Sequence, residues 1–280
     1  MDKVLIVANG MKKESYPLSE EIEAYLETKG IASQTVYMDL SDEPLTVPYD
    51  VGLVITLGGD GTVLSVARAV HELGIPVLPV NLGTFGYITE ISKEEWQEAL
   101  DRFMLYGDNI SRRQMLRITV YRKGEKIWQA SALNEAVISS SGRAKVIALE
   151  LFLDSISLGK FRADGMLVAT ATGSTGYSLA AGGPILDAEM SAMVITPVCP
   201  FTLSNRPLVT SGKIVSITVS EHQRTDIILS ADGQLDFPLL EGDRVDVEKS
   251  MSRALLVKSL RRTFTEVVRD KLNWSGVLHA

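Results

Sequence analysis

The chain has 280 residues, a length that suits about two domains large enough to bury a core without disulfide staples. At 45% hydrophobic and 22% charged residues, it cannot be a disordered, collagen-like or coiled-coil protein. The 28 Lys and Arg against 35 Asp and Glu leave a net charge of −7, which argues against nucleic acid as a partner. An acidic chain that handled polyanions would have to gather positive potential locally.

The pattern of elements changes partway along the chain. Residues 4–8 form a short β-rich run, too short for a signal peptide. Ser19 is an N-cap candidate for a helix carrying Ile22, Tyr25 and Leu26, and Gly30 ends it. Strands are predicted at 35–38, 51–57 and 76–80. The last two are almost wholly apolar, as parallel strands covered on both faces are. Val63, Val66, Ala67 and Val70 share one face of a helix over 62–73, and a further helix is predicted over 92–100. This part predicts an α/β domain with an open, mostly parallel sheet.

After about residue 108 the pattern becomes one of short strands and turns, at 117–122, 126–130, 136–139, 147–153, 214–219, 227–230 and 244–247. It predicts a β-rich, β-sandwich-like domain. Toward the chain end Arg253, Lys258, Arg261, Arg262, Arg269 and Lys271 face only Glu266 and Asp270, and 265–272 has helical spacing. The single cysteine, Cys199, excludes an intrachain disulfide and points to a reducing, cytoplasmic compartment. No run reaches the roughly 20 apolar residues of a membrane span.

Two glycine-rich loops carry the chemistry. Gly58-Gly59-Asp60-Gly61-Thr62 follows a buried strand and opens a helix. That is the crevice where α/β sheets bind ligands, and a helix N-terminus there suits a phosphate. A carboxylate in such a loop repels phosphate, so Asp60 reads as a base, a hydroxyl-orienting group or a metal ligand rather than as a simple cap. The loop fits neither the Walker A nor the dinucleotide glycine pattern. The second loop runs from Asp164-Gly165 into Ala171-Thr172-Gly173-Ser174-Thr175-Gly176-Tyr177-Ser178, dense in small hydroxyls able to bond ribose, amide or phosphate. Phe85 and Tyr87 are candidates for stacking on a base. Asn134-Glu135 is a polar pair in a β pattern, and Asp232-Gly233-Gln234 reads as a hairpin turn. His71, His222 and His279 form no serine-hydrolase or zinc pattern, so any metal is Mg²⁺ brought by a nucleotide.

Taken in order, these motifs, with residues 81–89 and 200–207, resemble the bacterial NAD kinase family over most of the chain. The first motif alone is shared with lipid and phosphofructokinase-like kinases. The resemblance implies transfer of the γ-phosphate of ATP, or of polyphosphate, to the adenosine-ribose 2′-hydroxyl of NAD, with Mg²⁺. It implies a domain of residues 1–107, joined by 255–280, and a dinucleotide-binding domain of 108–254. It also implies a homodimer or homotetramer in which a neighbouring subunit helps complete the NAD site.

Asp60 becomes the base or orienting group, and Gly58, Gly59, Gly61 and Thr62 become the phosphate-donor loop. Asn134 and Glu135 would bond the ribose or its neighbours, and Asp164 would face the nicotinamide side. Thr172, Thr175, Gly176, Tyr177, Ser178 and Ala180 would line the dinucleotide, with Tyr87 near a base. Gln234 would reach it from a third loop, and Lys145 and Arg162 would add basic contacts. Ala171, Gly176 and Phe201 stand where the family usually has Pro, Ala and His. The alternatives are another kinase with the same first loop, acting on a lipid or sugar phosphate, and a non-catalytic nucleotide sensor.

Overall fold

The computed structural model describes residues 3–39, 45–83, 86–142, 145–202 and 204–272. Two compact units divide the chain: Met1–Arg112 with Ala254–Ala280, and Arg113–Arg253.

The first unit runs β1 (Lys3–Asn9), α1 (Ser15–Thr28), β2 (Ala32–Met38), β3 (Val51–Gly58), α2 (Asp60–Val70), β4 (Val77–Asn81), β5 (Ile91–Ser92) and α3 (Trp96–Tyr106). The strand order is β2-β1-β3-β4, every pair parallel. β5 and the chain near Leu256 also pair in parallel with β4. Val4, Ile6, Leu53, Ile55, Leu57, Leu78 and Val80 join Ile22, Leu26, Trp96 and Leu100 from the helices in one buried core. Each such side chain contributes about 1.5–3 kcal/mol by leaving water. Because β1, β3 and β4 are parallel neighbours, the loops after them all emerge at the same edge of the sheet.

Two helix starts differ from the sequence expectation by four residues or more. α1 begins at Ser15, since Pro17 falls in its first turn where a missing N–H costs nothing. Ser19 is buried inside the helix and meets the Tyr37 hydroxyl at 2.8 Å. α3 begins at Trp96 because Ile91 and Ser92 pair with Val80 and Asn81 instead. Glu95 Oε2 accepts the Ser92 N–H (3.0 Å) and an Arg262 bond (2.9 Å). Burial alone would raise the Glu95 carboxyl, but these bonds and the Arg261 charge hold it below the usual range. The short α5 (Phe264–Leu272) follows.

The second unit has strands β6 (Ile110–Arg122), which starts in the first unit, β7 (Glu125–Ala132), β8 (Glu135–Ser140), β9 (Ile147–Leu153), β10 (Ile156–Ala163) and β11 (Gly165–Thr170). It continues through α4 (Tyr177–Ala180), β12 (Met193–Val198), β13 (Leu208–Thr210), β14 (Val215–Val219), β15 (Ile227–Ala231) and β16 (Leu235–Leu239). β17 (Arg244–Val257) then carries the chain back to the first unit. One antiparallel sheet is ordered β13-β12-β11-β8-β15-β16, and β10-β9-β14-β17 forms a second layer, with β6 and β7 paired as a hairpin. Side chains of both layers, among them Ile138, Val168, Ile195 and Leu229 against Leu149, Ile217 and Val245, make a sandwich core. The other face of β8, β11 and β12 is covered by Ala171, Leu186 and Ala192. β11 and β12 are therefore buried throughout, whereas β14 and β15 alternate.

No helix among the described residues is long and apolar enough to cross a membrane.

Candidate functional site

In the first unit the Gly58–Thr62 loop sits between β3 and α2. Gly59 is the N-cap, in an extended conformation, and no side chain caps the helix. Asp60 is the first helical residue, so it does not cap its own helix. Its half-buried carboxylate instead holds residues 86–89. Oδ2 accepts the Tyr87 N–H (3.0 Å), and Oδ1 accepts the Ile88 N–H (3.3 Å), the Thr89 N–H (3.0 Å) and the Thr89 hydroxyl (2.8 Å). Gly86 is required here because a Cβ would lie 1.7 Å from Oδ1. The Leu82 N–H donates to Gly58 O at 2.9 Å, tying the loop after β4 to the loop after β3. Oδ1 is thus saturated, while Oδ2, with one donor, keeps acceptor capacity. A Cβ on Gly59 would meet nothing within 4 Å, so that backbone faces open space fit for a phosphate. Burial raises the Tyr87 phenol above its ordinary value. The stacking candidate Phe85 lies outside the described residues.

In the second unit three segments converge at one end of β8. Asp232 accepts N–H bonds from Leu133 (3.0 Å), Asn134 (2.7 Å) and Glu135 (3.2 Å), and its own N–H donates to Glu135 O (2.9 Å). The 232–234 turn is the hairpin expected, with positive φ at Asp232 and Gly233. The sequence reading missed the clamp made by the Asp232 side chain. Its signal was an aspartate in an otherwise ordinary turn, which composition cannot distinguish from an exposed one. The hydroxyl loop packs on the same segment. The Thr170 N–H donates to Asn134 O at 2.8 Å, and a Cβ on Gly173 would lie 2.1 Å from that oxygen.

Three buried polar atoms at this end have no hydrogen-bond partner among the described residues: Asn134 Oδ1, Glu135 Oε2 and Thr172 Oγ1. Burial, with the Asp232 charge adding to it, pushes the Glu135 carboxyl up to about 8. An alanine methyl at Gly176 would stand 3.2 Å from Glu135 Oε2, so glycine leaves that oxygen its room. Thr175 bonds Thr172 O (3.1 Å). Tyr177 and Ala180 are exposed on α4, while Ser178 is buried against Thr196. Gln234 sits in the 232–234 turn, half-buried.

The remaining basic and acidic candidates lie elsewhere in this unit. β11 runs antiparallel to β8, pairing Ala169 with Glu135 and Gly165 with Ser139, so Asp164 lies at the far end from Asn134. Arg162 pairs with Ala148 and packs over the Phe201 ring at 5.5 Å. Lys145 follows the far end of β8 and reaches Arg224 O at 3.4 Å, beside a cavity of about 670 Å³. Five strand steps from Glu135 to Ser140 make a separation of about 17 Å. The structure therefore brings Asn134, Glu135, Thr172, Gly176 and Gln234 together and places Lys145, Arg162 and Asp164 at the opposite end.

Residues 44–108 match the ATP-NAD kinase N-terminal domain and residues 133–259 its C-terminal domain. A NAD kinase of Treponema denticola is 44% identical over 280 residues, covering 99% of this chain and 98% of its own. One from Geotalea daltonii is 37% identical, covering 98% and 99%. The fold is similar to that of yeast NADH kinase complexed with NADH, with a TM-score of 0.86, 22% identity, and 100% of this chain and 89% of that one covered. It is also similar to an NAD kinase from Archaeoglobus fulgidus in complex with ATP, with a TM-score of 0.77, 24% identity, and coverage of 96% and 98%. With two domain models matched in order and relatives aligned along nearly their whole length, the chain belongs to the NAD kinase family.

Proposed function

We propose that this chain phosphorylates NAD, transferring the γ-phosphate of ATP to the adenosine-ribose 2′-hydroxyl to give NADP. The observation that carries the reading is the set of buried atoms on Asn134, Glu135 and Thr172 that are unpartnered among the described residues. Buried polar atoms are rarely left unpaired, and a dinucleotide's hydroxyls and amides would complete them. Thr175, Gly176, Tyr177, Ser178, Ala180 and Gln234 extend the same surface, and Tyr87 serves a base. In the reaction the 2′-oxygen attacks the γ-phosphorus, the bond to the β-phosphate oxygen breaks, and ADP leaves. Asp60 Oδ2 orients the hydroxyl and takes its proton late, while Gly58, Gly59, Gly61 and Thr62 receive the donor phosphates. Positioning and charge neutralisation supply most of the rate, as in other phosphoryl transfers.

A divalent cation on the nucleotide belongs to this proposal. Among the described residues no three His, Cys, Asp or Glu side chains gather as a metal cage would need. Asp60 is already held by the 87–89 backbone. The ion would arrive on the nucleotide's phosphates and supply charge neutralisation there. Lys145, Arg162 and Asp164, at the opposite end of β8 from Glu135, support a homo-oligomer in which they act on the dinucleotide held by a second copy. A two-domain working unit, residues 1–107 with 255–280 and residues 108–254, and a cytoplasmic location complete the reading.

The test is a matrix of NAD or NADH with ATP, GTP or polyphosphate and Mg²⁺, read as NADP(H) formed. NADP from NAD and ATP is the expected result. Phosphorylation of a lipid or sugar phosphate alone, or tight NAD binding without turnover, would sink it.

A further inference from the structure

The donor loop carries a carboxylate and no cation of its own, and the chain is acidic overall. A compensating positive charge is needed where the phosphates are received. One is held in place by the loop after β1. Asn9 is buried at the strand end, and its Oδ1 accepts the Met11 N–H at 2.9 Å. Asn9 O accepts the Lys12 N–H (3.2 Å) and the Ser15 hydroxyl (2.9 Å), and that hydroxyl also reaches Lys12 O (2.7 Å). The turn thus fixes the Lys12 backbone. The half-buried Lys12 side chain then donates from Nζ to Leu82 O at 3.0 Å, in the loop after β4.

The strand order gives that bond its meaning. β3 lies between β1 and β4. A side chain that starts after β1 and ends on a carbonyl after β4 spans the place in the strand order that β3 holds, and β3 leads into Gly58 and Gly59. Leu82, whose carbonyl holds the ammonium, is itself bonded to Gly58 O (2.9 Å). An ammonium has three donors, and among the described residues Lys12 Nζ bonds Leu82 O, which leaves it able to donate to a ligand at the donor loop.

We propose that Lys12 is a phosphate-binding residue of the kinase reaction, its ammonium meeting the β- and γ-phosphates of the nucleotide. The proposal rests on the kinase reading above and adds to it the positive charge the donor loop lacks. Lys12 then touches the phosphates of the donor nucleotide and not the dinucleotide, so its effect falls on one substrate only.

The test compares the full wild-type chain with Lys12→Gln and Lys12→Arg. Glutamine removes the charge while keeping a polar N–H one bond shorter, and arginine keeps the charge. NADP formation is measured over an ATP titration at saturating NAD, and NAD and ATP binding are measured by calorimetry. Lys12→Gln is expected to lower kcat/KM for ATP about ten- to a hundredfold, the range for a charge-assisted bond to phosphate. The NAD affinity and melting temperature should stay unchanged, and Lys12→Arg should recover most of the loss. Wild-type ATP dependence in Lys12→Gln overturns the proposal. So does an equal loss toward both substrates with arginine no better than glutamine, which makes Lys12 a prop for the Leu82 carbonyl. If the wild-type chain forms no NADP from any donor, the kinase reading fails by itself. ATP binding then still judges Lys12, since equal affinity in wild type and Lys12→Gln overturns its role.

Discussion

The two glycine-rich loops of this chain solve opposite problems. In the first, the functional carboxylate is satisfied by the protein itself: four donors from residues 87–89 converge on Asp60. At the second, the polar atoms that matter are buried and left open among the described residues: Thr172 Oγ1 in the loop, and Asn134 Oδ1 and Glu135 Oε2 on the segment it packs against. The Asp60 carboxylate is oriented before any ligand arrives, which suits a group that must point accurately. The second loop is finished by its ligand, which suits recognition, because an unpaired buried atom makes the absence of the right partner costly.

The sharpest way to break this comparison is at Asp60. Asp60→Asn should lower NADP formation by about 10²–10⁴-fold while NAD binding by calorimetry persists. Near-normal turnover would reduce Asp60 to a tether for residues 86–89. Asp232→Ala comes next. It strips the acceptor from three backbone N–H groups, so the folded chain should lose about 3 kcal/mol, read as a shift in the urea midpoint. No shift would mean that the clamp is not what holds Asn134 and Glu135 in place.

Glu135 offers a smaller, pH-dependent effect. Its carboxyl titrates near 8 when folded, above the ordinary 4.5. The folded chain therefore keeps a proton that the unfolded chain gives up between these values. The stabilisation is complete below about pH 4.5 and fades as the pH rises through 8, with a slope of at most about 1.4 kcal/mol per pH unit. Glu135→Gln should flatten the pH dependence of the urea midpoint between pH 5 and 8. The same slope in both proteins would refute a protonated Glu135. The mildest effect separates two hydroxyls of one loop. Ser174 Oγ donates to Ala171 O (2.6 Å) and accepts the Leu186 N–H (3.0 Å). Ser174→Ala should therefore cost about 1 kcal/mol of stability. Thr172→Val should cost no stability but weaken NAD binding about tenfold. If both behave alike, the distinction between a completed and an open hydroxyl fails.

Much of this was legible in the sequence, for identifiable reasons. β1, β3 and β4 announce themselves because parallel strands covered on both faces need uninterrupted apolar runs. The Gly58–Thr62 loop could be placed because a buried strand precedes it and a helical face follows. β10 was not read as a strand, since Ile156, Leu158, Lys160 and Arg162 show little alternation and the strand is largely exposed. β12 contains Pro197, which counts against a strand interior, yet it is wholly buried between β11 and β13. Asp60 and Gly86 belong to one device separated by 26 positions. No local pattern reveals that the glycine exists to admit the carboxylate. The end-to-end split of Lys145, Arg162 and Asp164 from Asn134 depends on antiparallel register, which composition does not encode.

The carboxylates of Asp60 and Asp232 share one further property: each precedes a glycine, Gly61 and Gly233. An aspartate in that setting is prone to slow chemical ageing. The glycine nitrogen, unhindered by a side chain, can attack the carboxyl carbon and expel water to close a five-membered imide, which reopens largely as a kinked backbone isomer. Ring closure needs a carboxyl free to swing onto its own chain. At Asp60 the group is tied to residues 87–89, and at Asp232 to residues 133–135. The same bonds that point one aspartate and anchor the other also slow their covalent decay, so the protein's chemical lifetime at these two positions is set by how seldom it unfolds.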